Sequence, residues 1–327
     1  MAFPNFTGGV TNITPAAFMA VYIKTGAEKW QTLGSISSGV LNVRDFSAPD
    51  SLTRNKAINS YDFTAKCTMM QCAKIELELL DSICNGANNF LFKLADAAIV
   101  TTSAAYAGWV AVTAAQVGVK AKVVADGTPE NNRVIELEWQ GSIYKSDANE
   151  VALYTPTLAT GDFGSTAVSG TYMGTLGVGG IGIYTAATDG GLPDNTHLSP
   201  CGISTVVLDT SPTSNPETIA PVQNVKMMFE MLANQDGIRR FLPNTLDINI
   251  EYDWMATLNS DLLLLGNATL GDVKIIVTML DGVIFTLDNQ VGIESNFEVS
   301  GDMDKARIIR FTHKGKVLQS SFDGIVS

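Results

Sequence analysis

Hydrophobic and polar residues follow the same order in two distant parts of the chain. Val117–Tyr144 and Val291–Leu318 align without a gap at a constant separation of 174 residues, and glycines coincide along the alignment. In both segments apolar residues recur at every second position, as in RVIELEW and RIIRFTH, a period typical of half-buried β-strands. The stretches GTPENN and GDMDKA interrupt the two patterns and predict hairpin turns. Each segment is therefore predicted to form an antiparallel pair of strands.

The likeness between the two parts continues upstream at a separation of 185 residues. Alternation of apolar and polar residues predicts an opening strand, a polar loop and a second strand in each part. The predicted opening strands are Gly39–Phe46 and Asn224–Met231, the polar loops are Ser47–Asp62 and Leu232–Asn244, and the second strands are Phe63–Met69 and Thr245–Tyr252.

One helix is predicted after the second strand of each part. The stretch KIELELL in the first part fits a strand and a helix equally well, so the second part decides. There the apolar residues recur at three- and four-residue spacing, and Asp253 is placed to cap the first turn. The residues with this spacing are Met255, Leu258, Leu262 and Leu265, and strands at Asn89–Leu94 and Val273–Leu280 are predicted to follow the helices.

The pattern divides the chain into two similar units and two other segments. The units are predicted at 35–155 and 221–327, with an N-terminal arm at 1–34. Residues 156–220 are rich in Gly, Ser, Thr and Pro, and we expect an inserted linker or a surface subdomain. The uncharged run 97–119 is long enough to cross a membrane but contains no leucine, so a strand with a loop is the expectation. The predicted fold class is mainly β (α+β), with one flanking helix for each β-sandwich or barrel unit.

Charge and candidate chemistry argue against an enzyme and against a conventional nucleic-acid binder. The formal net charge of −12 repels phosphate backbones. The four cysteines lack zinc-site spacing, and the two histidines are remote from them in sequence, so no metal or cofactor is expected. The run GVGGIG is followed by GGLP rather than by a helix, which favours a loop over a dinucleotide site. No spacing of nucleophile, base and acid indicates a catalytic site.

The arrangement resembles the tail tube (major tail) proteins of tailed bacteriophages, with the tube fold present twice in tandem. The segments that carry the resemblance are GVLNVRDF with its polar loop, MMQCAKIELELLDSICNG, and RVIELEWQGSIY. The resemblance covers about two-thirds of the chain, namely the two predicted units.

The resemblance implies a structural virion protein of the tail, synthesised in the host cytoplasm. Its subunits would join sheets edge to edge into rings, and the rings would stack into a tube that conducts DNA through an acidic, non-adhesive lumen. Two units in one chain imply a trimeric ring with pseudo-sixfold symmetry. Implied partners are other copies of the chain, the sheath or terminator, the baseplate and the tape measure, with no membrane. The implied inter-ring contacts lie in the two polar loops, at Asp50, Arg54, Lys56, Asp236, Arg239 and Arg240.

Two other classes of protein remain as alternatives. The first is a baseplate hub, a tail terminator or a capsid decoration protein of similar fold, and a hub would form one ring without polymerising. A carbohydrate-binding module would need exposed aromatic platforms, for which the chain offers Trp30, Trp109, Trp139 and Trp254.

Overall fold

The chain of 327 residues folds mainly into β-strands. A computed structural model describes residues 18–25, 29–32, 36–49, 56–70, 80, 83–84, 87–94, 97–126, 134–144, 155–163, 175–176, 182–183, 203–209, 216–219, 222–256, 274–279, 284–288, 291–298 and 307–317.

The strands of the first half of the chain run from Phe18 to Tyr144, and four short elements follow them. The first-half strands are β1 (Phe18–Thr25), β2 (Gln31–Thr32), β3 (Ile36–Pro49), β4 (Lys56–Met70), β5 (Asn88–Leu94), β6 (Ala104–Ala105), β7 (Trp109–Val112), β8 (Val117–Asp126) and β9 (Val134–Tyr144). The short elements are β10 (Thr157–Leu158), a 3-10 helix at Thr160–Asp162, β11 (Thr175–Leu176) and β12 (Gly182–Ile183).

The strands of the second half run from Ile203 to Val317. They are β13 (Ile203–Asp209), β14 (Pro216–Ile219), β15 (Val222–Gln235), β16 (Phe241–Ala256), β17 (Lys274–Met279), β18 (Ile284–Asp288), β19 (Val291–Glu298) and β20 (Arg307–Val317).

One eight-stranded antiparallel sheet extends through both halves. Its strand order is β19-β20-β16-β15-β8-β9-β4-β3, so β15 of the second half pairs with β8 of the first. Side chains alternate across this sheet because successive residues of a strand point to opposite faces. On one face they are buried along the inner strands, as in Phe63, Ala65 and Cys67 of β4 and Ile248 and Ile250 of β16. We call this face the core face and the opposite one the outer face.

Two four-stranded sheets cover the core face, one in each half. Their orders are β2-β1-β5-β7 and β14-β13-β17-β18. In the first half, ring centroids of Phe92 and Trp139 lie 5.2 Å apart across the two layers. In the second half, those of Phe229 and Phe285 lie 5.0 Å apart. Both halves are therefore β-sandwiches, which agrees with the mainly β fold class predicted from the sequence.

The predicted strands are confirmed, but the two polar loops are wrong in extent. β3 continues to Pro49 and β4 begins at Lys56, so most of Ser47–Asp62 is strand. Likewise β15 continues to Gln235 and β16 begins at Phe241. Only the residues between these two strands form a turn, and the rest of the predicted loop Leu232–Asn244 is strand. Polar sequence predicted loops here, whereas cross-strand pairing extends the hairpins beyond their apolar part.

The helix prediction has a different outcome in each half. Asp253 does not cap a helix, because β16 continues through it to Ala256 and pairs there with β20. Leu258, Leu262 and Leu265 lie outside the described residues. In the first half, Leu80, Ile83 and Cys84 have helical conformation and are buried, while the residues around them are outside the described part.

The uncharged run 97–119 forms turns and the strands β6, β7 and the start of β8. β7 pairs with β5, and Trp109 is fully buried with its Nε1 donating a hydrogen bond to the Ala98 carbonyl oxygen at 3.0 Å. The prediction of a strand with a loop is confirmed. Within the described residues, no helix has the length and apolar character needed to span a membrane.

Candidate assembly interface

The pairing of β8 with β15 joins the two halves, and we call it the central joint. Five residue pairs form the ladder, from Lys226 opposite Asp126 to Glu230 opposite Lys122. Residues of opposite charge therefore face each other at both ends of the ladder. Direct cross-strand pairs of opposite charge stabilise one register over its neighbours, because a one-residue slip also moves apolar side chains to the wrong face.

The turn between β15 and β16 reaches across the central joint onto the first half. Arg240 donates a hydrogen bond from Nη1 to the carbonyl oxygen of Ala114 at 2.6 Å, and Arg239 forms an ion pair with Asp62 at 3.2 Å. Asp236 holds the turn in shape: its carboxylate accepts hydrogen bonds from the backbone N–H groups of Ile238 and Arg240. Arg239 adopts a left-handed backbone conformation with φ 60°. The turn thus adds contacts between the two halves outside the β8–β15 ladder.

The start of β16 crosses β8 at a glycine. A Cβ atom built on Gly118 would overlap the carbonyl oxygen of Phe241 and would lie 2.8 Å from Cγ of Arg240. Only a residue without a side chain permits this approach. The ammonium group of Lys120 lies 4.8 Å from the centroid of the Phe241 ring, within the range of a cation–π interaction. A cavity of about 520 Å³ lies beside the crossing, lined mainly by apolar residues of both halves.

The outermost strands of the eight-stranded sheet are β3 and β19. Within the part of the chain that the structure describes, neither strand pairs with another on its outer side. β3 carries Val40, whose side chain is 68% exposed. Such edges present unpaired backbone N–H and C=O groups, which other strands can join.

The halves have the same strand order and corresponding registers. In the first half the strand order, read from the central joint to the outer edge, is β8-β9-β4-β3. In the second half the order, read in the same direction along the sheet from its outer edge to the central joint, is β19-β20-β16-β15. The corresponding pairs are Val117–Gly141 with Val291–Gly315, Phe63–Gly141 with Ile248–Gly315, Val43–Phe63 with Phe229–Ile248, and Val21–Phe92 with Val206–Val277.

The second half reaches the central joint with β15, which corresponds to β3. The first half reaches it with β8, which corresponds to β19. The central joint therefore pairs a β3-type edge, β15, with a β19-type edge, β8. The two outermost strands of the sheet, β3 and β19, are one edge of each type.

The outer face carries cations that are paired with acids. Glu138 contacts both Lys66 and Lys120 at 3.2 Å. Arg310 binds the buried carboxylate of Asp253 through Nε at 2.7 Å and Nη2 at 3.1 Å. These hydrogen bonds hold the pKa of Asp253 below its usual value, against the opposing effect of burial. The described part of this face thus carries both signs of charge in close pairs.

A histidine lies inside the core of the second half, at the position that corresponds to Trp139 in the first half. His313 is fully buried and shares a hydrogen bond of 3.0 Å between Nε2 and the Tyr252 hydroxyl, while its Nδ1 has no partner. Burial lowers the pKa of His313 to about 3, so the ring is neutral at neutral pH. Among the described residues, no cluster of His, Cys, Asp and Glu is arranged to hold a metal ion.

The predicted contact residues are distributed over both long hairpins. Asp50 and Arg54 lie outside the described residues, and Lys56 is the first residue of β4 rather than part of a loop. Asp236, Arg239 and Arg240 lie together in the β15–β16 turn, where they contact one another and the first half. The sequence did not identify the first-half residues that the turn and the start of β16 contact, which are Asp62, Ala114, Gly118 and Lys120. The repeated glycine at positions 118 and 292 was the available signal for this crossing.

Comparison of the sequence with models of known protein families gave no match, and neither did comparison with curated proteins.

Proposed function

We propose that the chain contains two tandem copies of one β-sandwich unit. The support is the shared strand order of the halves together with the corresponding registers in both layers. On this basis the units begin earlier than the sequence pattern suggested, at β1 and β13. Residues 18–144 form the first unit and residues 203–317 the second, which assigns β1 and β2, and likewise β13 and β14, to the units.

The chain is proposed to be a bacteriophage tail tube protein whose rings stack into the tube. One observation carries the proposal: the two halves join head to tail, which leaves the outer edges of β3 and β19 as another complementary pair. Repeated head-to-tail contacts close into a ring when the rotation between subunits divides a full turn. Closure would also remove both exposed sheet edges, which are an aggregation hazard in a lone chain.

Three chains in a ring would give a closed barrel of suitable width. Each chain supplies an eight-stranded sheet. With about 24 strands spaced roughly 4.8 Å apart, the backbone diameter is roughly 37 Å for untilted strands and roughly 48 Å for a tilt of about 40°. Side chains narrow the lumen by about 5 Å on each side, half the distance between packed sheets. Such a lumen is wide enough to pass duplex DNA.

The outer face of the long sheet is proposed to line this lumen, because the small sheets already occupy the core face. The net charge of −12 makes the chain as a whole repel phosphate. On the face itself, Lys66 and Lys120 share the carboxylate of Glu138, and Arg310 is paired with Asp253. A passing phosphate would have to displace a carboxylate at each such cation. Non-adhesion would therefore combine an acidic chain with cations that lie beside carboxylates, rather than a purely acidic wall.

The remaining expectations follow from this role. Asp50 and Arg54 lie between β3 and β4 in sequence and stay candidates for contacts between rings. Further partners would be the terminator or sheath, the baseplate and the tape measure. The location would be the virion tail, after synthesis in the host cytoplasm. No enzymatic role and no cofactor is proposed.

Electron microscopy of the purified full-length chain tests the proposal. Negative staining over a range of concentrations should reveal hollow tubes or stacks of rings. Single rings that never stack would favour a hub or a terminator. Monomers at every concentration, with or without tail-tip complexes to initiate assembly, would contradict the proposed function.

The positions of the tryptophans argue against the carbohydrate-binding alternative. Trp109, Trp139 and Trp254 are buried, and Trp30 is half-buried against the first-half core. None of the four tryptophans is an exposed platform on which a sugar ring could stack.

A further inference from the structure

We propose that the contact between neighbouring chains repeats the central joint residue for residue, with β19 of one chain in the place of β8 and β3 of the next in the place of β15. This inference rests on the proposed function for the existence of a ring, and adds to it the register and the closing contact. The partner is a second copy of this chain.

The register follows from the correspondence of strands. β15 pairs with β16 as β3 pairs with β4, which places Phe229 at the position of Val43. β19 pairs with β20 as β8 pairs with β9, which places Val123 at the position of Phe297. Phe229 lies opposite Val123 in the central joint. Between chains, Val43 would therefore lie opposite Phe297.

The neighbouring positions of this ladder follow directly. Met228 lies opposite Val124 and Glu230 opposite Lys122 in the central joint. Between chains the same positions hold Asn42 opposite Glu298 and Arg44 opposite Asn296.

The crossing at Gly118 also has a counterpart on the outer edge. β19 carries Gly292 at the corresponding position, and Lys56 at the start of β4 corresponds to Phe241 at the start of β16. In the central joint the Phe241 backbone lies so close to Gly118 that a Cβ atom is excluded. A glycine at 292 would admit the backbone of Lys56 of the neighbouring chain in the same way.

The residue types at the crossing differ between the two joints in a complementary way. Within the chain, Lys120 lies against the aromatic ring of Phe241. Between chains, the position of Lys120 is taken by Glu294 and the position of Phe241 by Lys56. A cation and an aromatic ring are thus replaced by an acid and a base, and the second arrangement is the more sensitive to salt.

The ladder is tested by cross-linking of paired cysteines. The variant with Asn42→Cys and Glu298→Cys places thiols at directly opposite positions, where Cβ atoms are about 5 Å apart. The matched control with Asn42→Cys and Asn296→Cys places them two residues out of register, at about 7–8 Å. Mild oxidation of assembled protein, followed by non-reducing electrophoresis, should give dimers and trimers at least about tenfold faster for the in-register variant, as expected from disulfide geometry. Single-cysteine variants measure the background from the four native cysteines.

The crossing is tested by Gly292→Ala and by charge reversal. Gly292→Ala should leave the melting temperature of the unassembled chain within about 2 °C of wild type, while the assembled fraction in sedimentation falls by at least about tenfold. Lys56→Glu and Glu294→Lys should each weaken assembly, and the double variant should recover it.

The outcomes separate this inference from the function on which it depends. Wild-type tubes with equal or faster cross-linking in the out-of-register control would overturn the register and leave the tube standing. Normal assembly of Gly292→Ala would overturn the proposed crossing. Failure of the wild-type chain to assemble at all would overturn the proposed function itself.

Discussion

Replacing Gly118 by alanine should destabilise the chain by separating its two halves. The added Cβ atom would overlap the carbonyl oxygen of Phe241, which is a backbone atom and cannot rotate away. The start of β16 must therefore move outward by about 1 Å or more, because non-bonded carbon and oxygen atoms need roughly 3.2 Å.

The magnitude follows from the contacts that this movement breaks. Overpacking of this kind costs about 1–3 kcal/mol. The displacement also weakens the hydrogen bond from Arg240 to the Ala114 carbonyl oxygen, worth about 1.5–3 kcal/mol for a charged donor. The contact of Lys120 with the Phe241 ring adds about 0.5–1 kcal/mol. With partial relaxation, we expect a loss of about 2–4 kcal/mol in the free energy of unfolding.

Urea denaturation of the unassembled chain, followed by tryptophan fluorescence, measures this loss. Gly161→Ala is the matched control, because a Cβ atom at Gly161 would meet no heavy atom within 4 Å. The control should change the free energy of unfolding by less than about 0.5 kcal/mol, as ordinary surface substitutions do. If Gly118→Ala and Gly161→Ala have equal effects, the close crossing of the two halves is wrong.

Three further predictions concern the core and the outer face. Trp139→Ala should cost about 3–5 kcal/mol in denaturant titrations, because the indole is fully buried against aromatic rings of the small sheet; a cost under about 1 kcal/mol would contradict the packing of the two layers. His313 should make the chain less stable in acid, because its pKa is about 3 in the folded state and near 6.5 in the unfolded state. The contribution of this group to the free energy of unfolding is therefore fully present above about pH 6.5, and by pH 5 it should fall by about 2 kcal/mol. His313→Phe should remove this part of the pH dependence, and an unchanged profile would show that another group is responsible. Arg310→Ala should cost about 1–3 kcal/mol because the buried carboxylate of Asp253 loses its charged partner, whereas Lys66→Ala at an exposed ion pair should cost less than about 1 kcal/mol; equal effects in thermal melts would contradict the burial of Asp253.

Alternating apolar positions predicted the strands of both halves because alternation is a local property of a half-buried strand. The extension of β3 and β15 beyond their apolar residues was not predictable in this way, since the hydrogen bonds that hold these parts come from partner strands distant in sequence. Asp253 was misread for the same reason. An acid before apolar residues at helical spacing is typical of a helix N-terminus, but its carboxylate is bound by Arg310, which is 57 residues away.

The candidate interface was only partly visible in the sequence. The repeated glycines marked positions 118 and 292, but nothing local indicated that Phe241 crosses at the first of them. Likewise Arg239 and Arg240 were identifiable as exposed turn residues, whereas their partners Asp62 and Ala114 come from the other half. Long-range contacts of this kind depend on the register of the whole sheet.

Cryo-electron microscopy of end-on assemblies tests the central claim most directly. We predict rings of three chains, with strong threefold and weaker sixfold features, around an open lumen bounded by one continuous sheet in which β3 lies beside β19 of the neighbour. Solid fibres, rings of six chains, or a wall in which β3 and β19 do not meet would contradict the account.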